Sequence, residues 1–113
     1  MDVKFYETAK GNSEVWDFIE ALDLEASDGK QSAKELLGDI RYSMERMADG
    51  MPHSRPLRHG IFELRPGSCR ITYFYWKGDV ICLTVFPKTT NQTPNSEVAR
   101  AVKRMKDWKR RNP

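Results

Sequence analysis

Residues 62–76, FELRPGSCRITYFYW, decide the fold of this chain. Apolar and polar residues alternate on both sides of a Pro-Gly-Ser turn, a pattern that predicts a β-hairpin. If Arg65 and Arg70 bracket the turn as a cross-strand pair, their repulsion costs a few tenths to about 1 kcal/mol. Two guanidinium groups on one sheet face make sense if an anion normally lies between them. An ion pair of either arginine with Glu63 or Asp79 is the alternative.

The same alternation predicts three strands, at residues 61–65, 70–76 and 80–86. If a three-residue turn joins the last two, Trp76 lies opposite Val80 and one face is apolar throughout. That face carries Phe62, Leu64, Ile71, Tyr73, Tyr75, Ile81, Leu83 and Val85. The opposite face carries Arg65, Arg70, Thr72, Phe74, Trp76, Thr84 and, just beyond the last strand, Lys88. A two-residue turn would move Lys88 to the other face, because a shift of one residue exchanges the faces of a strand.

Two amphipathic helices are predicted before the hairpin. The first follows Ser13, a typical N-cap residue, and stops at Asp28-Gly29. The second ends at Asp49-Gly50. Their apolar residues recur at intervals of three and four, as a helix with one buried face requires. These residues are Val15, Phe18, Ile19 and Leu22 in the first helix and Ala33, Leu36, Leu37, Ile40, Met44 and Met47 in the second.

The remaining segments complete the order of elements. VKFYE, residues 3–7, predicts a strand, and MPHSRPLRHG, residues 51–60, predicts a loop. Thr93 as N-cap and Pro94 as first helical residue begin a basic terminal helix. The order is therefore β-α-α-β-β-β-α, an α+β fold with helices against one side of a small, largely antiparallel sheet. The 113 residues suffice for a single domain, residues 1–113.

Charge and composition limit the classes of partner. Residues 1–50 hold 6 Lys and Arg against 12 Asp and Glu, whereas the rest of the chain holds 13 against 4. The basic half indicates a polyanionic partner, with a merely solvated surface as the alternative. Cys69 and Cys82 lack the spacing of a zinc site or a disulfide scaffold and are predicted to be free thiols. No signal peptide or long apolar run is visible, so we expect a cytoplasmic protein without membrane contact.

The stretch from Gly60 to Pro94 carries a family resemblance. Its motifs are Glu63-Leu64-Arg65, Cys69-Arg70-Ile71-Thr72-Tyr73 and Phe86-Pro87-Lys88-Thr89, preceded by the basic loop SRPLRHG. Together they resemble the RelE/HigB-like toxins, in particular their phage-derived branch. The resemblance spans most of the chain. It departs from the family pattern at Thr89, where a second lysine is usual, and in having no tyrosine after Tyr75.

The resemblance implies a RelE-like fold and the toxin of a type II toxin-antitoxin pair. Such a toxin is an mRNA endoribonuclease that acts without cofactor or metal, commonly in the ribosomal A site, and so inhibits translation. The expected partners are mRNA, the ribosome and a HigA-like helix-turn-helix antitoxin, with which the toxin forms a hetero-oligomer.

The chemistry of RNA cleavage suggests roles for individual residues. The 2′-hydroxyl must lose a proton while it attacks phosphorus, and charge must be stabilised on the phosphoryl oxygens. Arg65 and Arg70 suit the second task. Lys88 suits a further cation or a proton donor. Because histidine titrates near neutral pH, His59 is the preferred general base and His53 the second choice, although solvated loop histidines are the alternative.

Other basic and aromatic residues are candidates for holding RNA: Arg55, Arg58, Trp76, Lys103 and Arg104. Trp76 and Phe74 could stack on bases, or could simply cap the sheet or meet a partner. The basic terminal helix suits ribosomal RNA, an acidic antitoxin segment or plain solvation. Two other functions remain open. A non-catalytic RNA- or protein-binding module, such as a phage protein that inhibits its host, is one, and a DNA-binding regulator is a weaker one because no helix-turn-helix pattern is present.

Overall fold

The computed structural model describes residues 1–50, 52–89 and 91–113, which form three helices and five strands. The helices are α1 (Glu14–Ser27), α2 (Gln31–Ala48) and α3 (Asn95–Arg111). The strands are β1 (Val3–Phe5), β2 (Ser54–Pro56), β3 (Phe62–Leu64), β4 (Cys69–Trp76) and β5 (Asp79–Pro87). The predicted fold class and order of elements are confirmed, with one further short strand, β2, inside the segment predicted as a loop. In these residues no helix is both long and apolar enough to cross a membrane.

The strands form one mixed sheet in the order β1-β5-β4-β3-β2. β1 runs parallel to β5, and the other neighbouring pairs are antiparallel. Within the described residues β1 and β2 are therefore the two edges. The hairpin predicted from the opening stretch is present, because Leu64 of β3 pairs with Ile71 of β4.

The turn between β4 and β5 has two residues, so the predicted three-residue turn is wrong. Lys77 and Gly78 both have positive φ, at 52° and 83°, as the central residues of a type I′ hairpin turn do. Trp76 consequently pairs with Asp79 instead of Val80. This change of register moves Ile81 to the face that also carries Phe74.

A β-bulge in β5 reverses the alternation a second time. Thr72 pairs with Thr84 and Tyr73 with Cys82, so Leu83 is the extra residue. Leu83 packs on the face of Phe74, contrary to prediction. Beyond the bulge the original phase returns, and Val85 packs with Ile71 as predicted. Continued past the end of β5, this alternation puts Lys88 on the side of Arg70.

Apolar cores lie on both faces of the sheet. On one face α1 and α2 pack against the strands, with Val15, Leu22, Leu37 and Ile40 contacting Leu64, Ile71, Tyr73 and Cys82. On the other face Ala101 and Met105 of α3 pack against Phe74, Ile81 and Leu83. The prediction that all helices cover one side is therefore wrong. The two-residue turn and the bulge give the second face enough apolar surface to bury a helix of its own.

One predicted helix cap is confirmed and the other is wrong. Ser13 Oγ accepts a hydrogen bond of 3.3 Å from the Trp16 backbone N–H at the start of α1. At the start of α3, Pro94 is the N-cap residue and has no side-chain cap hydrogen bond. The hydroxyl of Thr93 donates to the carboxylate of Glu63 instead. Thr93 thus fastens the segment before α3 to the sheet.

Side chains cover the part of β5 that β1 leaves unpaired. Glu14 accepts a hydrogen bond from the Val85 N–H at 3.3 Å, and Arg104 donates to the Leu83 carbonyl at 2.7 Å. Glu14 also pairs with Arg100 at 2.8 Å and with Arg104 at 3.1 Å. Burial acts to raise the pKa of Glu14, but the bonds from Arg100, Val85 and Arg104 outweigh it and lower the pKa. α1, α3 and the sheet are joined at this one carboxylate.

Candidate functional site

The arginines that bracket the hairpin turn converge on a carboxylate. Arg65 Nε and Arg70 Nε each lie 3.9 Å from Glu63 Oε1. The Glu63 side chain is 2% exposed, and its other oxygen accepts the hydroxyl of Thr93. The alternative predicted from sequence, an ion pair with Glu63, is therefore what the structure records for both arginines. Asp79, the other candidate, pairs with Lys4 at 2.8 Å.

The two arginines differ in what their guanidinium groups have left to offer. The Arg70 side chain is only 8% exposed, and its Nη1 donates to the carbonyls of Cys69 at 2.7 Å and Gly67 at 3.2 Å. Arg70 therefore holds the turn from inside. The Arg65 side chain is 40% exposed and makes no hydrogen bond to another described residue, so it can reach a ligand.

Lys88 lies at the same end of the sheet as these arginines. Its backbone N–H donates to the Ser68 carbonyl at 2.8 Å, which places it beside the hairpin turn. The side chain is exposed and forms no ion pair with another described residue. Arg65, Arg70 and Lys88 are thus brought to one end of the sheet, where Glu63 pairs with the two arginines.

An open groove of about 600 Å³ runs beside this end of the sheet. It lies between the second half of α2, strand β2 and the hairpin turn, and we call it the β2 groove. Its lining residues are Asp39, Tyr42, Ser43, Arg46, His53, Ser54, Arg55, Pro56, Arg65, Pro66 and Gly67. Three arginines and a histidine therefore share the groove with one acid among the described residues. The hairpin turn packs closely on α2, since a Cβ at Gly67 would lie 2.9 Å from Asp39 Oδ2.

Tyr42 and Arg46 are groove residues that sequence reasoning missed. The Arg46 guanidinium lies 5.7 Å from the centre of the Tyr42 ring, and its Nη1 donates to the Tyr42 hydroxyl at 3.3 Å. Arg46 Nε is buried without a hydrogen-bond partner among the described residues. Both residues belong to the outer face of a helix in an acidic half of the chain. Their spacing of four residues was the available signal, but only the tertiary structure shows that they face β2.

The two histidines exchange their expected places. His53, the second choice as a base, lines the β2 groove with Arg65. His59 lies in a different cavity, of about 470 Å³, with Arg58, Lys103 and residues of α3. It sits in the turn between β2 and β3 at a positive φ of 61°, at the other end of β3 from Arg65. His59 is thus not part of the cluster in which the sequence placed it.

Some of the predicted RNA-binding side chains are exposed, whereas the guanidinium of Arg104 is enclosed by other residues. Arg55 is exposed and donates to the Asn91 carbonyl at 2.9 Å, while Arg58 is exposed and donates to Asn95 at 2.6 Å. Lys103 is exposed between two cavities of α3. Arg104 is occupied, because Glu14, the Leu83 carbonyl and the Tyr6 ring surround its guanidinium.

Trp76 is placed away from the arginines. It ends β4 whereas Arg70 lies near its start, so about 20 Å separates them at the rise of an extended strand. Its indole N–H donates to the Asn112 carbonyl at 2.8 Å, and Lys109 Nζ lies 5.2 Å from its ring centre. Trp76 therefore caps the face under α3. It shares the sheet face of Phe74 and Arg70 as predicted, but at the far end of β4 from Arg70.

Both cysteines are free, as predicted, and the structure shows that both are buried. Burial raises the pKa of Cys69 to about 11 and that of Cys82 to about 12, which keeps both thiols protonated and poor nucleophiles. Within residues 1–50, 52–89 and 91–113, no group of three or more His, Cys, Asp or Glu side chains is placed to hold a metal ion.

The α+β fold and the hairpin motifs can be compared with known protein families. Residues 17–106 match the family described as "Phage derived protein Gp49-like (DUF891)". Because the match covers most of the chain, the chain belongs to this Gp49-like family. The resemblance predicted from the hairpin motifs is confirmed.

Two named relatives are similar to this chain. Both are called "Probable endoribonuclease HigB1" and come from two strains of Mycobacterium tuberculosis. Each is 34% identical over 74 residues, which is 62% of this chain and 58% of the relative. The match therefore spans somewhat more than half the length of these relatives.

Proposed function

We propose that this chain is the toxin of a type II toxin-antitoxin system, an endoribonuclease that cleaves mRNA in the ribosomal A site without a metal ion. The observation that carries the proposal is the β2 groove, in which Arg46, Arg55, Arg65 and His53 line one open cavity. Family membership and the names of the relatives support the same class of activity.

The groove suits the charge that develops on phosphorus. An exposed guanidinium at Arg65 can form two parallel bonds to phosphoryl oxygens, and Arg55 stands on the neighbouring strand. Fixed cations aimed at the equatorial oxygens supply the electrostatic stabilisation that usually dominates such catalysis. The guanidinium of Arg46, which also lines the groove, is a further positive charge beside the phosphate.

His53 is the proposed general base, in place of His59. It takes the proton of the 2′-hydroxyl while the 2′-oxygen bonds to phosphorus and the bond to the 5′-oxygen breaks. Lys88 gives a proton to the leaving 5′-oxygen. The products are a 2′,3′-cyclic phosphate and a 5′-hydroxyl end, and only RNA provides the nucleophile for this reaction.

Arg70 has a supporting role in this proposal. Its guanidinium is buried between Glu63 and two backbone carbonyls, so it fixes the turn from which Arg65 projects. Glu63 in turn holds Thr93 and both arginines. We therefore assign Arg70 and Glu63 as positioning residues and Arg65 as the residue that touches phosphate.

The partners proposed for this chain follow from its basic surface and from its resemblance to HigB-like toxins. The cavity that holds Arg58, His59 and Lys103 is separate from the β2 groove and suits ribosomal RNA. A HigA-like helix-turn-helix antitoxin is the proposed inhibitor, bound in a hetero-oligomer.

Mapping of transcript 5′ ends after brief induction in a bacterial host tests the proposal. We expect new 5′-hydroxyl ends within coding sequences for the natural chain. Arg65→Ala should lower their yield by about 100-fold or more, the effect of losing one donor to a developing oxyanion. Arg41→Ala is the matched control, since Arg41 is an exposed α2 arginine that pairs with Asp23 at 3.4 Å outside the groove.

The histidines are compared in the same assay. His53→Gln should lower cleavage by about 100-fold or more, as removal of a general base does, whereas His59→Gln should leave it within a fewfold. Full cleavage by Arg65→Ala, or an effect of His59→Gln larger than that of His53→Gln, would contradict the proposed site.

One observation favours a non-catalytic RNA-binding protein as the second candidate. Glu63 already lies between Arg65 and Arg70, which lowers the positive potential available to a scissile phosphate. Growth arrest with intact transcripts and unchanged 5′ ends would favour this candidate over the nuclease.

A further inference from the structure

Another cavity lies at the opposite edge of the sheet from the β2 groove. It occupies about 510 Å³ between β1, the start of α1 and the end of α3. β1 and β2 are the two ends of the strand order, so the whole width of the sheet separates this cavity from the groove. We call it the β1 pocket, and its aromatic and charged lining residues are Lys4, Phe5, Glu7, Trp16, Asp17 and Trp108.

Three aromatic rings form the apolar part of the β1 pocket. Trp16 is 48% exposed although it is a large apolar side chain. Phe5 meets it edge to face, with ring centres 5.5 Å apart, and holds the indole in place. Trp108 of α3 supplies the third ring. Exposed tryptophan faces attract cations, since the ring quadrupole is negative above and below the plane.

The charges of the β1 pocket are negative in sum. Glu7 and Asp17 are exposed, and neither carboxylate pairs with another described residue. Two of the nearby cations are already paired. Lys4 lies 2.8 Å from Asp79, and Arg111, which donates to the Glu7 carbonyl, pairs with Asp107 at 3.0 Å. A cation entering the pocket therefore meets two free carboxylates and an exposed indole.

We infer that the β1 pocket docks an arginine or lysine side chain from a basic segment of a protein partner. Its aromatic rings and free carboxylates match the apolar stem and charged head of such a side chain. The acidic outer faces of α1 and α2 extend the complementary field beyond the pocket, because residues 1–50 hold 12 acidic against 6 basic side chains. The two free carboxylates at the pocket repel phosphate, so we do not expect RNA as its occupant. This site does not depend on the proposed nuclease activity.

Nuclear magnetic resonance of the three tryptophan indoles tests the inference. The probe is the blocked pentapeptide acetyl-Gly-Arg-Gly-Arg-Gly-amide, and the control peptide carries citrulline, which has the same shape without charge, at both arginine positions. At low ionic strength the arginine peptide should shift the indole signals of Trp16 and Trp108 saturably. Trp76, whose indole N–H donates to Asn112 outside the pocket, is the internal reference. The citrulline peptide should shift none of the three.

Substitutions separate the pocket from general charge. The double variant Glu7→Gln with Asp17→Asn should weaken binding about 10-fold, the sum expected from two exposed ion pairs. Glu20→Gln, on the exposed face of α1 outside the pocket, is the matched control and should change affinity less than twofold. Trp16→Ala should weaken binding about fivefold, as judged from the Trp108 signal.

Three results of the peptide titrations would overturn the inference. The first is the absence of a saturable shift with the arginine peptide. The second is an equal shift with the citrulline peptide. The third is unchanged affinity in the double variant. A hexauridylate titration adds a check on the excluded class, since a saturable shift of Trp16 by RNA would assign the pocket to nucleic acid.

Discussion

Substitution of the buried carboxylate under the hairpin turn gives the sharpest test of how this end of the molecule is held together. Glu63→Gln keeps the size and the acceptor oxygen of the side chain but removes its charge. Arg70 then remains buried with only two carbonyl partners, and Arg65 loses its nearest anion. We therefore expect a marked loss of stability without loss of the fold.

The magnitude follows from three contributions. Removal of one partner of a buried ion pair costs about 3 to 5 kcal/mol, and the carbonyl bonds of Arg70 place this case near the lower end, at about 3 kcal/mol. Arg65 is 40% exposed, so solvent screening limits its share to a few tenths of a kcal/mol. The bond from Thr93 weakens by up to about 1 kcal/mol because its acceptor becomes neutral. The expected loss is about 3 to 4 kcal/mol in all.

Urea unfolding at 25 °C, followed by circular dichroism, measures this loss. A chain of this size loses roughly 4 °C of Tm per kcal/mol, so a thermal scan should show a decrease of about 12 to 16 °C. Glu20→Gln, at an exposed glutamate without an ion pair among the described residues, should stay within about 0.5 kcal/mol of the natural chain. A free energy of unfolding within 1 kcal/mol of the natural value in Glu63→Gln would refute the reasoning.

Four further predictions concern groups that are buried or half-buried. Thr72→Val should lower the free energy of urea unfolding by about 1 to 3 kcal/mol, because the Thr84 hydroxyl loses its buried hydrogen-bond partner. Changing both threonines to valine should cost less than the single change. Additive losses would contradict this prediction. Cys69 and Cys82 should resist alkylation by iodoacetamide at pH 8 in the folded protein, because burial raises the pKa of both thiols. Both should react once the protein is unfolded in urea. Equal alkylation rates in the folded and unfolded protein would exclude the assigned burial. The same shifts should make the folded protein less stable as the pH rises above 9, where the thiols of the unfolded chain ionise and those of the folded chain do not. The lowered pKa of Glu14 acts in the opposite direction. The stabilisation that it gives is present above about pH 4.5 and is lost as the pH falls below that value. The difference in unfolding free energy between the natural chain and Glu14→Gln should therefore shrink from pH 6 to pH 3.

Local pattern was enough to predict most of the elements. The N-cap at Ser13, the glycine-bearing ends of the first two helices and the alternation around the Pro-Gly-Ser turn depend on neighbours in sequence, and the structure confirms them. β2 was missed because its three residues include Pro56 and have no period of their own. Only pairing with β3 makes that segment extended.

The errors of register arose because the local sequence pattern does not show the length of the turn after β4 or the bulge in β5. Lys77 adopts a positive φ that a lysine rarely takes, so the sequence favoured the longer turn. The bulge at Leu83 then offsets that shift, and neither feature alone would leave Thr84 and Val85 in their predicted places. The candidate site was half predictable for the same reason. Arg65 follows from the hairpin motif, but Arg46 joins it only through the packing of α2.

Pro56 lies in the edge strand β2 and affects how the protein behaves at high concentration. The hydrogen bond from Leu57 to Ile61 fixes the phase of β2, so the backbone of Ser54 and Pro56 faces outward. Proline has no N–H, so this free edge lacks one of its donors and is a poor template for another molecule's strand. We therefore expect this side of the sheet to resist edge-to-edge association at high protein concentration.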